Sequence, residues 1–215
     1  GLISLRGREA LQLNKFIGMT DAAIFRAADH YALMLTNLRL RERLKIEAIH
    51  DPLTGVYNRR YMEESLEREI LRAERHQTNV GLIMMDIDHF KRFNDTYGHD
   101  LGDTILRELA KCVRANLRAE DIVCRYGGEE FLVIIPDIES RDLLTRANHL
   151  CQEVRTSVQI AHNTQQLSIT VSIGVASFPE HGNAAQEALR AADQALFQAK
   201  RGGRDRAVAA STPMM

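Results

Sequence analysis

The sequence predicts an α/β (α+β) sandwich, in which helices flank a central sheet containing an antiparallel hairpin and one long helix comes first. Three observations carry this. Helical and strand patterns alternate from residue 58 to 200. Short apolar runs at 80–85 and 131–135 have the length of buried strands. A glycine pair, Gly127-Gly128, stands between two such runs, where a hairpin has to turn.

Taken in order, residues 1–5 read as a short strand and 6–16 follow no clear period. Thr20-Asp21 is a good N-cap pair, and no glycine or proline interrupts the chain from there to His50. Ile24, Ala28, Tyr31, Leu35 and Leu38 recur at alternating steps of four and three, a coiled-coil seam flanked by Arg39, Arg41, Glu42, Arg43, Lys45 and Glu47. The expected long helix either packs on its own domain or pairs with its copy in a dimer. Asp51-Pro52-Leu53-Thr54-Gly55 ends it, because proline disfavours helix at the residue before it and Gly55 permits a turn. Asn58 then caps a helix to about residue 75. A strand over 80–85 stops at Asp86-Ile87-Asp88. There follow a short helix over 89–95, a longer one over 101–117 with Ile105, Leu106, Leu109 and Val113 inward, and a hairpin of 122–125 with 131–135. A helix over 141–154, a strand over 167–177 and an alanine-rich helix over 184–200 complete the pattern.

With 215 residues and 45% hydrophobic side chains, the chain can hold one full catalytic domain plus an attachment. A formal charge of -1 gives no argument for nucleic acid or a membrane surface. Cys112, Cys124 and Cys151 are too few and too scattered for a disulfide framework or a zinc ribbon, so reduced thiols in a cytoplasmic protein are expected. No run approaches the ~20 apolar residues of a membrane span and no signal peptide is evident. A start at Gly1 without methionine points to a segment further upstream.

The chemistry concentrates at two strand ends. Gly127-Gly128 can take positive φ and lets a ligand reach bare backbone, and of Glu129 and Glu130 one faces any cleft beside the turn while the other faces away. Asp86 ends the other strand. Two acidic strand ends suit one hard divalent cation, since Mg2+ uses one or two carboxylates plus substrate phosphates; by themselves they are equally solvated acids at a turn.

Asp86-Ile87-Asp88-His89-Phe90-Lys91, Phe93-Asn94-Asp95, Gly98-His99-Asp100, Gly102-Asp103 and Gly127-Gly128-Glu129-Glu130-Phe131 resemble the motifs of GGDEF-family diguanylate cyclases, here in a GGEEF form. The resemblance covers about residues 51–206. It implies a palm-like catalytic domain over 51–208, preceded by a signalling helix over 20–50 and followed by a tail over 209–215. Residues 1–19 resemble the end of a GAF-type sensor.

It also implies roles. Asp86, the Ile87 carbonyl and Glu129, with Glu130 secondary, would bind Mg2+ or Mn2+. Asp86 and Glu129 are the expected catalytic residues, Glu129 accepting a proton from the attacking 3′-hydroxyl of GTP. Asp103 can accept both the N1 and N2 hydrogens of guanine, and Asn94 can both give and accept along the base edge. Adenine lacks that donor pair and would leave Asp103 unpaired, a discrimination of ~10⁴ or more. Without the resemblance, Asn94 reads as a helix cap and Asp103 as a first-turn acid.

Phe90, Gly127 and Gly128 are expected to line the substrate, and Lys91, Lys200 and Arg204 to contact its phosphates. Lys200 and Arg204 also stand where cations favour a helix end in any case. The family commonly has Asn after that arginine, where this chain has Asp205. His99 contacts substrate or is structural. Arg118 and Asp121 match the family's product-inhibition site for cyclic di-GMP, or are an exposed pair at a turn. The expected reaction joins two GTP into cyclic di-GMP across a homodimer, because one chain holds one nucleotide site. The alternatives are a degenerate domain acting as a GTP or cyclic di-GMP receptor, and a coiled-coil dimerisation unit.

Overall fold

The computed structural model describes residues 30–41, 43, 44, 46–163 and 165–211. The expected strand at 1–5, the sensor-like segment 1–19, the Thr20-Asp21 cap and the seam residues Ile24 and Ala28 lie outside the described residues. The chain divides into two units, Gly1–Ala48 and Ile49–Met215. The first holds α1, helical at residues 30–41, 43, 44 and 46–48. Its seam residues Tyr31, Leu35 and Leu38 are 68%, 54% and 58% exposed, so the apolar stripe has its surface open to solvent. Among the described residues no helix is long and apolar enough to cross a membrane.

The second unit runs β1 (Tyr57–Asn58), α2 (Arg59–His76), β2 (Val80–Ile87), α3 (Phe90–Tyr97), α4 (His99–Ala115), β3 (Ile122–Gly127), β4 (Glu130–Pro136), α5 (Ser140–Ser157), β5 (Gln159–His162), β6 (Gln165–Ser168), β7 (Val171–Phe178), α6 (Ala185–Arg201) and β8 (Arg206–Ala209). The main sheet has the order β1-β3-β4-β2-β7-β8. Its middle is antiparallel, while the edge pairs β1 with β3 and β7 with β8 are parallel.

Alternation explains the layers. Along β2 the side chains of Val80, Leu82 and Met84 join Met62, Leu66 and Ile70 of α2 and Ala188, Ala192 and Leu196 of α6 in one core. Ile83, Met85 and Ile87 join Ile105, Leu109 and Val113 of α4 and Ala147, Leu150 and Val154 of α5 in the other. A sheet covered on both faces needs apolar residues at every position, which is why 80–85 and 131–135 read as unbroken runs. α6 lies close against β7. A Cβ on Gly174 of β7 would overlap the Ala192 carbonyl and the Leu196 amide, so only glycine fits there.

From residue 58 onward, helix and strand expectations agree with the structure to within three residues, with one exception. The strand expected over 167–177 is two strands: β6 pairs with β5 in a separate hairpin, and β7 enters the main sheet. The break has a cause. The Asp88 amide bonds the Thr170 carbonyl, and the Thr170 and Ser172 hydroxyls bond the Asp88 carboxylate, so the chain is pinned to the end of β2 only from residue 170 onward. β1, β5 and β8 lie beyond the sequence expectations. Of the two turn glycines only Gly128 has positive φ, 41°; Gly127 ends β3 after an irregularity between Arg125 and Gly127.

Candidate active site

The sheet brings the two acidic strand ends together. In register, Asp86 of β2 stands opposite Glu130 of β4 on one side and Ser172 of β7 on the other. Asp86 is buried, 7% exposed, and its Oδ2 pairs with Lys200 Nζ from the last turn of α6 at 2.8 Å. Burial pushes the Asp86 carboxyl above its ordinary range; Lys200 pulls it back, and the charges of Glu129 and Asp88 push it further up. Glu130 is likewise raised, first by burial and then by Asp86, with Lys200 opposing and Asp193 and Glu129 adding to the rise. Glu129 stands in the turn itself, half-buried.

This is a cluster of like charges with one ammonium among them, and a divalent cation would relieve it. Among the described residues no three His, Cys, Asp or Glu side chains form a closed metal cage. The carboxylates at the two strand ends, Asp86 and Glu130, are oxygen donors of the kind Mg2+ takes alongside substrate phosphates. Ile87, buried in β2, presents only backbone to such an ion.

Beside the acids, α3 and α4 form a corner at Gly98. His89 opens α3 in the left-handed conformation, φ 60°. Asn94 holds the corner through its backbone carbonyl, which accepts from the Gly98 amide. Its side-chain Oδ1 is buried and has no hydrogen-bond partner. That oxygen lies over Gly102, where a Cβ would overlap it and would come within 3.3 Å of the Phe90 ring. A buried amide with an unmet acceptor calls for a donor. Half-buried Asp103 is the next residue, in the first turns of α4. Lys91 and His99 are exposed on α3 and at the start of α4, and Arg204 is half-buried in the loop after α6 with φ 62°.

Arg118 and Asp121 lie apart from these groups, at the α4–β3 turn. The Arg118 side chain is exposed and its amide donates to Asp121 Oδ2 at 2.9 Å. The Asp121 carboxylate is fully buried and pairs with Arg146 of α5 at 2.8 Å, a partner the sequence did not reveal. Asp121 Oδ1 and Arg146 Nη1 have no partner. A cavity of about 270 Å³ lies against this turn, lined among others by His50, Tyr57, Arg114, Arg118 and Asp121.

A third arrangement joins the entry link to the turn of the hairpin. Asp51 accepts from the Thr54 amide at 2.8 Å and hydroxyl at 2.6 Å. Arg125 Nη1 lies 3.3 Å from each Asp51 oxygen, and Arg125 Nε donates to the Gly128 carbonyl at 2.9 Å. Burial pushes the Asp51 carboxyl up, but the hydrogen bonds from Thr54 and the Arg125 charge outweigh it and hold the group below its ordinary value.

The family model described as "Diguanylate cyclase, GGDEF domain" matches residues 48–206. Response regulator PleD of Caulobacter vibrioides is 43% identical over 162 residues, 75% of this chain and 36% of PleD. Diguanylate cyclase DgcP of Pseudomonas aeruginosa is 42% identical over 164 residues, 74% of this chain and 24% of DgcP. The chain thus spans well under half the length of these relatives. Among solved structures, the coiled coil and GGDEF domain of DgcB from Caulobacter crescentus in complex with c-di-GMP matches with a TM-score of 0.78 at 33% identity, over 86% of this chain and 97% of that one. Diguanylate cyclase SiaD from Pseudomonas aeruginosa, in complex with its activator SiaC, matches with a TM-score of 0.73 at 38% identity, over 97% of this chain and 76% of that one.

Proposed function

Because the chain belongs to the GGDEF diguanylate cyclase family, we propose that it condenses two GTP into cyclic di-GMP and two pyrophosphates, with one GTP on each protomer of a homodimer. The observation that carries this is the convergence of Asp86 and Glu130 on Lys200 at the end of β2, with Glu129 near enough to push both carboxyls up, together with an Asn94 amide whose buried acceptor is unmet. Asn94 and Asp103 take the guanine edge. Lys91, Lys200 and Arg204 hold the phosphates, with Phe90, Gly127 and Gly128 lining the site. Glu129 accepts the proton of the 3′-hydroxyl, which attacks the α-phosphate of the other GTP; the new ester bond forms as pyrophosphate leaves. Held by Asp86, the Ile87 carbonyl, Glu129 and Glu130, a Mg2+ or Mn2+ ion would neutralise charge on the phosphates. The protein's own contribution is alignment, since in-line attack needs the reacting atoms at about 3 Å.

The open apolar seam on α1 supports the dimer, as does the likeness to the coiled coil and GGDEF domain of DgcB. The domain limits proposed are 51–208 for the cyclase, 20–50 for the signalling helix, 1–19 for the end of a GAF-type sensor and 209–215 for a tail, in a cytoplasmic setting. Product binding at Arg118 and Asp121 would use the exposed Arg118 guanidinium, while Asp121 serves through a carboxylate already shared with Arg146. The test is to incubate the purified chain with GTP and Mg2+ and resolve the nucleotides, with Glu129→Gln alongside. Cyclic di-GMP from the parent and none from the variant is expected. Absence of product at high protein concentration with GTP still bound would turn the reading to a receptor.

A further inference from the structure

Asp88 is given no ligand role in the site above, although it lies two residues from Asp86. It is buried, 8% exposed, and its oxygens accept three hydrogen bonds: Ser172 Oγ at 2.6 Å on Oδ1, with Thr170 Oγ1 at 2.7 Å and the Asp205 amide at 3.0 Å on Oδ2. A carboxylate offers about four acceptor sites, so little is left for a cation. What it holds is the loop after α6. Arg204 and Asp205 are both left-handed, φ 62° and 47°, and consecutive non-glycine residues keep that conformation only where the surroundings over-determine it.

The surroundings do so from three sides. The Arg204 amide bonds the Ala199 carbonyl at 3.0 Å, the Asp205 amide bonds Asp88, and the Asp205 carboxylate pairs with Arg155 of α5 at 2.8 and 2.9 Å. The last of these exists because this chain carries an acid at 205. Lys200 at one end of the segment is tied to Asp86, and Asp205 at the other end to Asp88. Arg204 is therefore bracketed by two tethers to the same strand end.

We infer that Asp88 is a positioning residue, not a metal ligand: through the Asp205 amide, and with Arg155 holding the Asp205 carboxylate, it fixes the backbone from which Arg204 serves the phosphate site. This rests on the reading of Arg204 as a phosphate contact. The experiment is a double-mutant cycle on the whole chain, read as KM for GTP and as half-saturating Mg2+. Arg204→Ala and Asp88→Ala are each expected to raise KM about tenfold, the scale of one lost charge-assisted contact. The double variant is expected to go no higher, and half-saturating Mg2+ to stay unchanged in Asp88→Ala.

Effects that multiply towards a hundredfold, or a raised Mg2+ requirement in Asp88→Ala, overturn the inference. An unchanged KM in Arg204→Ala refutes the phosphate role of that arginine, whereas an unchanged KM in Asp88→Ala beside a raised one in Arg204→Ala refutes the clamp alone. Should Asp88→Ala fail to fold, Arg155→Ala provides the same cycle at a half-exposed pair. It is expected to raise KM about threefold and to add nothing to Arg204→Ala, and a multiplied effect there counts equally against the clamp.

Discussion

Removing the Arg125 guanidinium tests how the entry link and the hairpin turn are held together. Arg125 and Asp51 are only 18% and 17% exposed, so their pair is shielded more than the surface ion pairs that contribute ~0–1 kcal/mol. The two contacts to Asp51 are long, 3.3 Å each, and the 2.9 Å bond to the Gly128 carbonyl is better formed. Hydrogen bonds to charged groups contribute roughly 1.5–3 kcal/mol, and the long distances argue for the lower part, so Arg125→Ala should cost about 2 kcal/mol. For a domain of this size that lowers Tm by about 4–8 °C. Arg125→Lys keeps a charge for Asp51 without the fork that also reaches Gly128, and should lose about half as much.

The sign with pH follows from Asp51. Its carboxyl lies below its ordinary value in the fold, so the stability it contributes is complete above the unfolded pKa near 3.8 and is lost as pH falls through the folded one. The gap between parent and Arg125→Ala should therefore be full at neutral pH and narrow in acid to the part carried by the Gly128 carbonyl. Urea unfolding of both proteins at a series of pH values measures it. A gap under about 0.5 kcal/mol at neutral pH, or one that stays unchanged all the way to acid unfolding, would refute the account.

Three other outcomes are expected. Asp103→Ala should lower the preference for GTP over ATP by about a hundredfold or more in competition binding, and retained selectivity would remove Asp103 from base recognition. Asp86 is raised by burial and by its acidic neighbours, so its ionised form costs stability at neutral pH and the cost fades as pH falls through the folded pKa; Asp86→Asn should melt higher than the parent at neutral pH, converge with it in acid, and bind metal poorly. The Cys124 thiol is pushed up to about 12 by burial, so a disulfide reagent at mildly alkaline pH should leave it unmodified in the native protein and label it only after denaturation, with half-exposed Cys112 reacting first.

How much could be read from the chain depended on the range of the interaction. The Asn58 cap is local, a carboxamide three residues from the Tyr61 amide it serves, and it was legible. β2 and β4 were legible because burial on both faces leaves no polar position to blur the run. The edge strands were not. β1 has two residues and β8 four, and each is a strand only because a distant parallel partner offers its edge. At the site, the resemblance to the GGDEF motifs pointed to Asp86, Glu129, Asn94 and Asp103. It could not reveal that Asp88 meets Asp205 across 117 residues or that Arg125 meets Asp51 across 74, since no periodicity encodes a contact between segments that fold from separate elements. The resemblance named Asp86 and left Asp88 without a role, and it is the neighbouring hydroxyls of Thr170 and Ser172 that give Asp88 its place in the framework.

The close seat of α6 on β7 acts as a spacer. Gly174 has no side chain, and the buried side of the helix carries Ala188, Ala192, Ala195 and Ala199 beside Leu196, so where α6 crosses Gly174 its height above the sheet is set by backbone. Lys200 follows Ala199 directly, and its reach to Asp86 is measured from that height. One added methyl at position 174 would have nowhere to go except to lift the helix, and the lift would be delivered to an ammonium at the helix end. Variation along this apolar seam should therefore register as a shift in phosphate handling, so that a core substitution far from any nucleotide would pass, in an activity screen, for damage to the site itself.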